Sequence, residues 1–210
     1  MTAVSTAISQ GWAWKERDAS IASVLDEVGS SWTDAVTFPS EIHVELLKAG
    51  RIPDPFKGSN EHEVQWIGER EWLYHTKFGV PEAERSWKSA ELVFEGLDTL
   101  CDVYLNGKKV LHADNMFRTW SVSLSRDDLR DQDNLLLLHF TSAKKLAKEL
   151  EAQYGRVRAG STNLGDPISS GAELEPFRAV HREDEVVHGD EGVLAARTVG
   201  RSLGLALDSV

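Results

Sequence analysis

Cysteine is almost absent from this chain of 210 residues, because Cys101 is its single example. One cysteine excludes an internal disulfide, which is typical of proteins from a reducing compartment. Residues 1–17 have neither a basic start nor an apolar stretch, so no secretion signal is expected. No apolar run approaches the roughly 18 residues that span a membrane. These absences predict a cytoplasmic protein with no membrane partner.

Positive charge is also scarce. The 23 Lys and Arg residues are outnumbered by 34 Asp and Glu residues, which gives a net charge of −11. Nucleic acids and anionic membranes need a basic surface, so neither is expected as a partner. Hydrophobic residues make up 41% of the chain, which is typical of a globular protein with a substantial core.

The common catalytic motifs are missing as well. The sequence contains no His-Glu-x-x-His or Cys-x-x-Cys and no glycine-rich phosphate loop. A retaining glycosidase needs two carboxyl groups about 5–5.5 Å apart, and sequence alone cannot identify such a pair among the acidic residues. We therefore predict no catalytic residue, no cofactor and no metal ligand, and interpret Cys101 as a small core residue.

Tryptophan is plentiful but confined to one part of the chain. The seven tryptophans are Trp12, Trp14, Trp32, Trp66, Trp72, Trp87 and Trp120. From residue 168 to residue 210 there is no Trp, Tyr, Lys, Asn or Cys. This change of composition predicts a boundary near Pro167, with a domain over residues 8–167. Residues 168–210 are predicted to be an aberrant or disordered tail with no domain of its own.

Strand patterns dominate the predicted domain. Asn106-Gly107 separates two apolar runs, which is a strong β-hairpin signal. Apolar and serine residues alternate from Trp120 to Ser125, as in a half-buried strand, and the four leucines 135–138 indicate a strand covered on both faces. These patterns predict a mostly β protein, a jelly-roll β-sandwich with one or two short helices and an irregular C-terminal tail. Its predicted core includes Phe94, Val103, Leu105, Trp120, Val122 and Leu136.

Two helices interrupt the strands. Ser40 is predicted to cap a helix over residues 41–49 that ends at Gly50, and Ser142 to cap a second helix that ends at Gly155. The second helix carries an apolar stripe on one face: Ala143, Leu146, Ala147, Leu150 and Tyr154. Between the helices, residues 51–60 form a loop stiffened by two prolines, which suits it to hold a ligand or a neighbouring domain.

A series of segments in fixed order carries a more specific signal. It consists of Glu41-Ile-His-Val-Glu-Leu-Leu-Lys-Ala-Gly50, Arg51-Ile-Pro-Asp-Pro-Phe-Lys-Gly58, Asn60-Glu61, Val64-Gln-Trp-Ile-Gly-Glu-Arg-Glu-Trp-Leu-Tyr74, Phe94-Glu-Gly-Leu-Asp-Thr99, Val103-Tyr-Leu-Asn-Gly-Lys108 and Asp114-Asn-Met-Phe-Arg118. The series resembles the N-terminal domain of β-mannosidases of glycoside hydrolase family 2, in particular the intracellular fungal kind. The likeness covers about residues 8–167.

The resemblance implies a galactose-binding-like domain that sits beside an immunoglobulin-like domain and a catalytic barrel in a complete enzyme. It implies release of terminal β-linked mannose with retention, by two glutamates of the barrel. A Trp-Asp-Trp-Gly motif that the family places after this region has no counterpart, since no tryptophan follows Trp120. Asp54 and Asn60 are the candidate residues at the border of the sugar site, although a role in holding their loop is the stronger interpretation.

Three hypotheses follow from these observations. The first is a truncated accessory domain of a β-mannosidase that lacks the barrel and is inactive alone. The second is a free-standing, lectin-like carbohydrate-binding module, and the third is an interaction protein that docks to a full-length relative. The abrupt change of composition near Pro167 favours the first hypothesis.

Overall fold

The computed structural model of the chain describes residues 3–36, 38–80, 89–155, 157–158, 169–170, 198–199 and 203–208. The described strands are β1 (Ala3–Ala7), β2 (Ala13–Glu16), β3 (Thr33–Asp34), β4 (Ser40–Glu41), β5 (Trp72–Phe78), β6 (Ser89–Phe94), β7 (Cys101–Leu105), β8 (Lys108–Ala113), β9 (Trp120–Leu124), β10 (Asn134–Phe140), β11 (Val157–Arg158), β12 (Ser169–Ser170), β13 (Thr198–Val199) and β14 (Leu203–Asp208). The α-helices are α1 (Ile42–Lys48) and α2 (Ala143–Tyr154), and 3-10 helices cover Asp26–Gly29, Asn60–Glu69 and Arg126–Asp128.

Two antiparallel sheets form the body of the domain. The larger sheet has the order β3-β2-β5-β10-β7-β8, and the smaller has the order β1-β14-β6-β9. Buried side chains from both sheets belong to one hydrophobic cluster, which includes Leu92 and Phe94 of β6 with Val103 of β7 and Leu136 of β10. Apolar residues on the facing sides of two sheets exclude water from the space between them. The predicted β-sandwich is therefore confirmed.

Strand β10 occupies the centre of the larger sheet. It pairs with β5 along one edge and with β7 along the other. Leu136 and Leu138 belong to the main core, whereas Leu137 points to the opposite face and packs with Leu73 and Val24 in a second cluster. Because successive side chains alternate between the faces of a strand, a continuous leucine run requires cover on both sides. The prediction for the four leucines is confirmed.

The predicted hairpin and half-buried strand are also present. Asn106 and Gly107 have φ values of 52° and 87°, as a two-residue turn between β7 and β8 requires. In β9, Leu124 is buried while Ser121 and Ser123 are exposed. Of the predicted core residues, Phe94, Val103, Leu105 and Leu136 are buried, and Trp120 and Val122 are partly buried against the same cluster.

One of the two predicted helix caps is confirmed. The Ser142 hydroxyl accepts a hydrogen bond from the Lys145 amide at 3.1 Å, as an N-cap does. In α1 the N-cap position is Glu41, and no side chain caps it. The prediction for Ser40 is wrong because its hydroxyl donates to the Glu45 carboxylate at 2.9 Å instead. Gly155 is the C-cap of α2, whereas the C-cap of α1 is Ala49 and Gly50 follows it. Both predicted glycines have positive φ.

Part of the predicted tail lies in strands. Strand β14 pairs along its whole length with β6, and from Gly204 to Asp208 it also pairs with β1 on its other side. The two-residue strand β12 pairs with β11, and β13 pairs with β4. Leucines alternate with other residues from 203 to 207, which is the period of a strand. The boundary near Pro167 and a tail without a domain of its own stay predictions. Pro167 and the histidine-containing stretch 181–188 lie outside the described residues.

Candidate functional site

The loop 51–60 begins where α1 ends, and the chain geometry there is well defined. Gly50 has a φ of +67°. Its amide donates a hydrogen bond to the Leu47 carbonyl at 3.0 Å, and the Arg51 amide donates to the Leu46 carbonyl at 2.9 Å. This pair of bonds is a Schellman motif, which uses a left-handed glycine to satisfy the last helix carbonyls. Ile52 then enters the hydrophobic core. The loop therefore starts from a fixed point on the sandwich.

The Arg51 side chain secures the same end of the loop. Its guanidinium lies 5.0 Å from the centre of the Trp14 ring and donates to the Thr33 hydroxyl at 3.2 Å. A guanidinium over an indole face is attracted by the ring quadrupole and also covers apolar surface. Both contacts tie the loop to the larger sheet, since Trp14 belongs to β2 and Thr33 to β3.

Asp54 and Asn60, the two predicted site residues, are brought together by this loop. The Asn60 side-chain amide donates to the Asp54 carbonyl at 2.9 Å. The Asp54 carboxylate accepts from the Phe56 amide at 3.1 Å and lies 3.6 Å from the Lys57 ammonium. Side-chain bonds of this kind stabilise a turn from within. Their side chains thus close the loop and leave Phe56 at its tip, where 55% of its surface is exposed.

A buried carboxylate fastens the segment that precedes α1. Glu45 is 2% exposed, and its oxygens accept hydrogen bonds from the Val36 amide, at 2.9 Å and 3.2 Å, and from the Ser40 hydroxyl. A buried charge needs such partners because leaving water is costly. These bonds connect Val36 and Ser40 to the helix that leads into the loop.

A second group of polar side chains lies at the N-terminal end of α1. The Glu41 carboxylate is 3.6 Å from Nδ1 of His43, whose side chain is buried. Burial, with a smaller contribution from the negative charge of Asp98, raises the pKa of Glu41 to about 7. Asp98 is also buried and lies on the connection between β6 and β7. We refer to Glu41, His43 and Asp98 as the acidic cluster.

Sequence reasoning missed the acidic cluster. Glu41 and Asp98 are far apart in the chain but interact electrostatically in the fold. A pairing of this kind leaves no periodic signal in the sequence. The described part of the chain contains no group of three or more His, Cys, Asp or Glu residues that could hold a metal ion. None of the described helices has the length and hydropathy that crossing a bilayer requires.

The family is decided by a match that spans most of the chain. The model of the family described as "Glycosyl hydrolase 2 galactose-binding domain-like" matches residues 12–181. The chain belongs to this family. The fold and the family predicted from the sequence are therefore confirmed. The match also continues past the boundary predicted near Pro167.

Curated relatives of this galactose-binding domain-like chain are fungal β-mannosidases. Beta-mannosidase B of Thermothelomyces thermophilus is 34% identical over 156 residues, which are 74% of this chain and 17% of the relative. Beta-mannosidase B of Aspergillus terreus is 30% identical over 170 residues, or 81% of this chain and 19% of the relative. The chain therefore spans less than a fifth of the length of these relatives.

A solved structure of a β-mannosidase also resembles this chain. The crystal structure of a β-D-mannosidase from Dictyoglomus thermophilum superposes with a TM-score of 0.70 at 28% sequence identity. The superposition covers 98% of this chain and 22% of the solved chain. The galactose-binding domain-like fold thus occurs as one part of a much longer β-mannosidase.

Proposed function

We propose that this chain acts as the N-terminal accessory domain of a β-mannosidase and has no catalytic activity by itself. The observation that carries the proposal is its likeness to β-mannosidases in both sequence and structure. In a complete enzyme, hydrolysis of a terminal β-mannoside would use carboxyl groups from a barrel domain, as the family resemblance implies. The immunoglobulin-like and barrel domains are then the partners of this domain, and the reaction takes place in the cytoplasm.

The loop 51–60 is the part of the domain that we assign to the sugar site. Its ends are fixed by the left-handed Gly50 and by the contacts of Arg51 with the larger sheet. Asp54 and Asn60 hold the loop through bonds within it, so their role in this proposal is to position the loop. A preorganised loop positions its tip without a large loss of entropy on binding.

The experiment is an exchange of domains. The matching residues of this chain replace those of the Thermothelomyces thermophilus enzyme, and hydrolysis of a nitrophenyl β-mannoside is measured. Substantial activity in the chimera, lost when the fold-breaking change Leu136→Asp is added, supports the proposal. A folded chimera without activity contradicts it.

The assignment of the loop has its own test in the same chimera. Asn60→Ala removes the hydrogen bond to the Asp54 carbonyl, so we expect a roughly tenfold lower kcat/KM because positioning is lost. Gln65→Ala is the matched control, because it removes a similar bond, from the Gln65 amide to the Glu61 carbonyl, outside the loop. Equal effects of the two changes would contradict a role for the loop in sugar positioning.

One observation favours the lectin-like module as a second candidate. Phe117, in the loop between β8 and β9, is 89% exposed. Its backbone is fixed by Asn115, whose side chain accepts from the Phe117 amide at 2.8 Å and whose carbonyl accepts from the Trp120 indole at 3.0 Å. An exposed aromatic ring on a fixed backbone can stack on a sugar. Glycan-array binding by the isolated chain that disappears in Phe117→Ala would favour this function.

A further inference from the structure

Helix α2 presents its apolar stripe to the solvent. Leu146, Leu150 and Tyr154 are 36%, 44% and 75% exposed, and no residue of the helix is buried. Among the described residues, neither hydrophobic cluster includes a side chain of α2. An amphipathic helix on a globular domain normally turns its apolar face to the core. This helix therefore has the opposite orientation from the one its sequence pattern favours.

Polar contacts hold α2 in this orientation. The ammonium groups of Lys144 and Lys148 lie 2.9 Å and 3.7 Å from the same Glu69 carboxylate oxygen. The Ser142 hydroxyl donates to the Gly68 carbonyl at 2.6 Å. The helix is thus fixed to the 3-10 helix Asn60–Glu69 through its cap and its lysines, and the stripe on its other side stays uncovered.

We propose that the apolar stripe of α2 is the surface on which this domain packs against the remainder of the longer β-mannosidase polypeptide. This inference rests on the proposed function. Its occupant is an apolar surface of the polypeptide that the relatives have in addition, since this chain spans only 17% and 19% of their length. The family match also continues beyond α2, as far as residue 181.

The size of the stripe favours an occupant in the same polypeptide. Its three large side chains offer on the order of 300 Å² of apolar area. A stable complex of separate molecules needs about 800 Å² from each partner, so a second copy would bind weakly through this face alone. A covalent connection raises the effective concentration of the occupant to about millimolar. A small apolar contact is then sufficient to keep the two surfaces together.

The test is the reactivity of a thiol placed in the stripe. Cys101 is buried, and burial raises the pKa of its thiol well above the usual range, so it does not compete for a maleimide reagent. Leu150→Cys places a thiol in the stripe. Ala152→Cys is the matched control, since Ala152 is exposed on the opposite side of the helix. Modification is read by mass spectrometry of the peptide that contains each introduced thiol.

Each variant is compared in the 210-residue chain and in the chimera with the Thermothelomyces thermophilus enzyme. We expect the thiol of Leu150→Cys to react at least about tenfold more slowly in the chimera, while the thiol of Ala152→Cys reacts equally in both. Equal reactivity of the Leu150→Cys thiol in both proteins overturns the inference. Protection that is already present in the isolated chain also overturns the inference. If that protection rises with protein concentration, a second copy covers the stripe, and if it does not, a segment of the same chain covers it.

The chimera also keeps the inference separate from the proposed function. Hydrolysis of the nitrophenyl β-mannoside by the chimera tests the function, and protection of the Leu150→Cys thiol tests the surface. An active chimera in which this thiol stays reactive leaves the proposed function intact and removes α2 as the interface. An inactive, folded chimera in which the thiol is protected supports the interface and removes the proposed function.

Discussion

Leu136 is a single residue on which the sandwich depends. Its side chain is fully buried in the main cluster at the centre of β10. Leu136→Asp would bury a carboxylate without a partner, which costs at least about 3 kcal/mol of unfolding free energy. Chemical denaturation of the variant measures this loss, with the exposed Ser123→Asp on β9 as the control. Equal stability of the two variants would mean that the core is wrongly assigned.

The raised pKa of Glu41 predicts how the free energy of unfolding depends on pH. Its pKa is about 7 in the folded chain, against a usual value of 4.5, because burial penalises its charged form. Between these values the folded state keeps a proton that the unfolded state has lost. The free energy of unfolding therefore falls as pH rises through this window, and the full penalty is present above about pH 7.

Glu41→Gln removes that penalty. At pH 8 we expect the variant to be more stable than the parent chain by about 1–3 kcal/mol, and at pH 4.5 to be similar to it. Urea denaturation at the two pH values measures the difference. The exposed Glu95→Gln is the control and should show no comparable pH dependence. A gain that is the same at both pH values would contradict the assigned cause.

At the residue scale, local chemistry could be predicted and long-range pairing could not. Asp54 and Asn60 share a short turn-rich loop, so their proximity follows from the loop itself. The core residues followed from alternation along their strands. Asp98 and Glu41 are distant in the sequence and interact electrostatically in the fold, and no local pattern records that pairing.

Among the elements, α1 depends on the left-handed residue at its end. Gly50→Ala would place a β-carbon at a φ of +67°, where nothing lies within 4 Å, so backbone strain is the main cost. We expect a loss of about 1–2 kcal/mol in unfolding free energy. Gly29→Ala is the matched control, because it has equally open surroundings and no positive φ. It should be neutral or slightly stabilising.

Strand β14 lies within the predicted tail, so it offers a direct test of the boundary predicted near Pro167. Because β14 pairs with both β1 and β6, removal of residues 203–210 should lower the melting temperature by roughly 10 °C. Removal of residues 209–210 alone is the control. Unchanged melting after the longer deletion, with proteolysis leaving a core that ends near residues 155–167, would favour the boundary predicted near Pro167 instead.

The two helices show why element boundaries are easier to predict than element orientation. Capping and terminal glycines are local, so the ends of α2 were predicted correctly from Ser142 and Gly155. The sequence places an apolar stripe on one face of α2 but does not indicate which face meets the domain, and ion pairs from Lys144 and Lys148 to Glu69 hold a different side of the helix there. Which side of a helix meets its neighbour depends on residues far away in the sequence.

At the scale of the whole molecule, the distribution of carboxyl groups decides what the isolated chain can do. A retaining glycosidase needs a carboxylate that reaches the sugar and a carboxylic acid beside it, with the two groups about 5–5.5 Å apart. Glu41 has the raised pKa of a proton donor. Its neighbour Asp98 is only 4% exposed, so it cannot reach a sugar carbon. The acidic cluster therefore lacks an accessible nucleophile.

The isolated chain is consequently expected to release no nitrophenol from a nitrophenyl β-mannoside above a heat-killed control. The assay requires chain purified free of host glycosidases, and the active chimera provides the positive control under the same conditions. Glu41→Gln tests the source of any turnover, because it removes a carboxyl group whose raised pKa suits proton donation. Turnover by the isolated chain that Glu41→Gln abolishes would show that this domain is itself catalytic. Turnover that survives Glu41→Gln but disappears in Leu136→Asp would assign catalysis to other carboxyl groups of the folded chain.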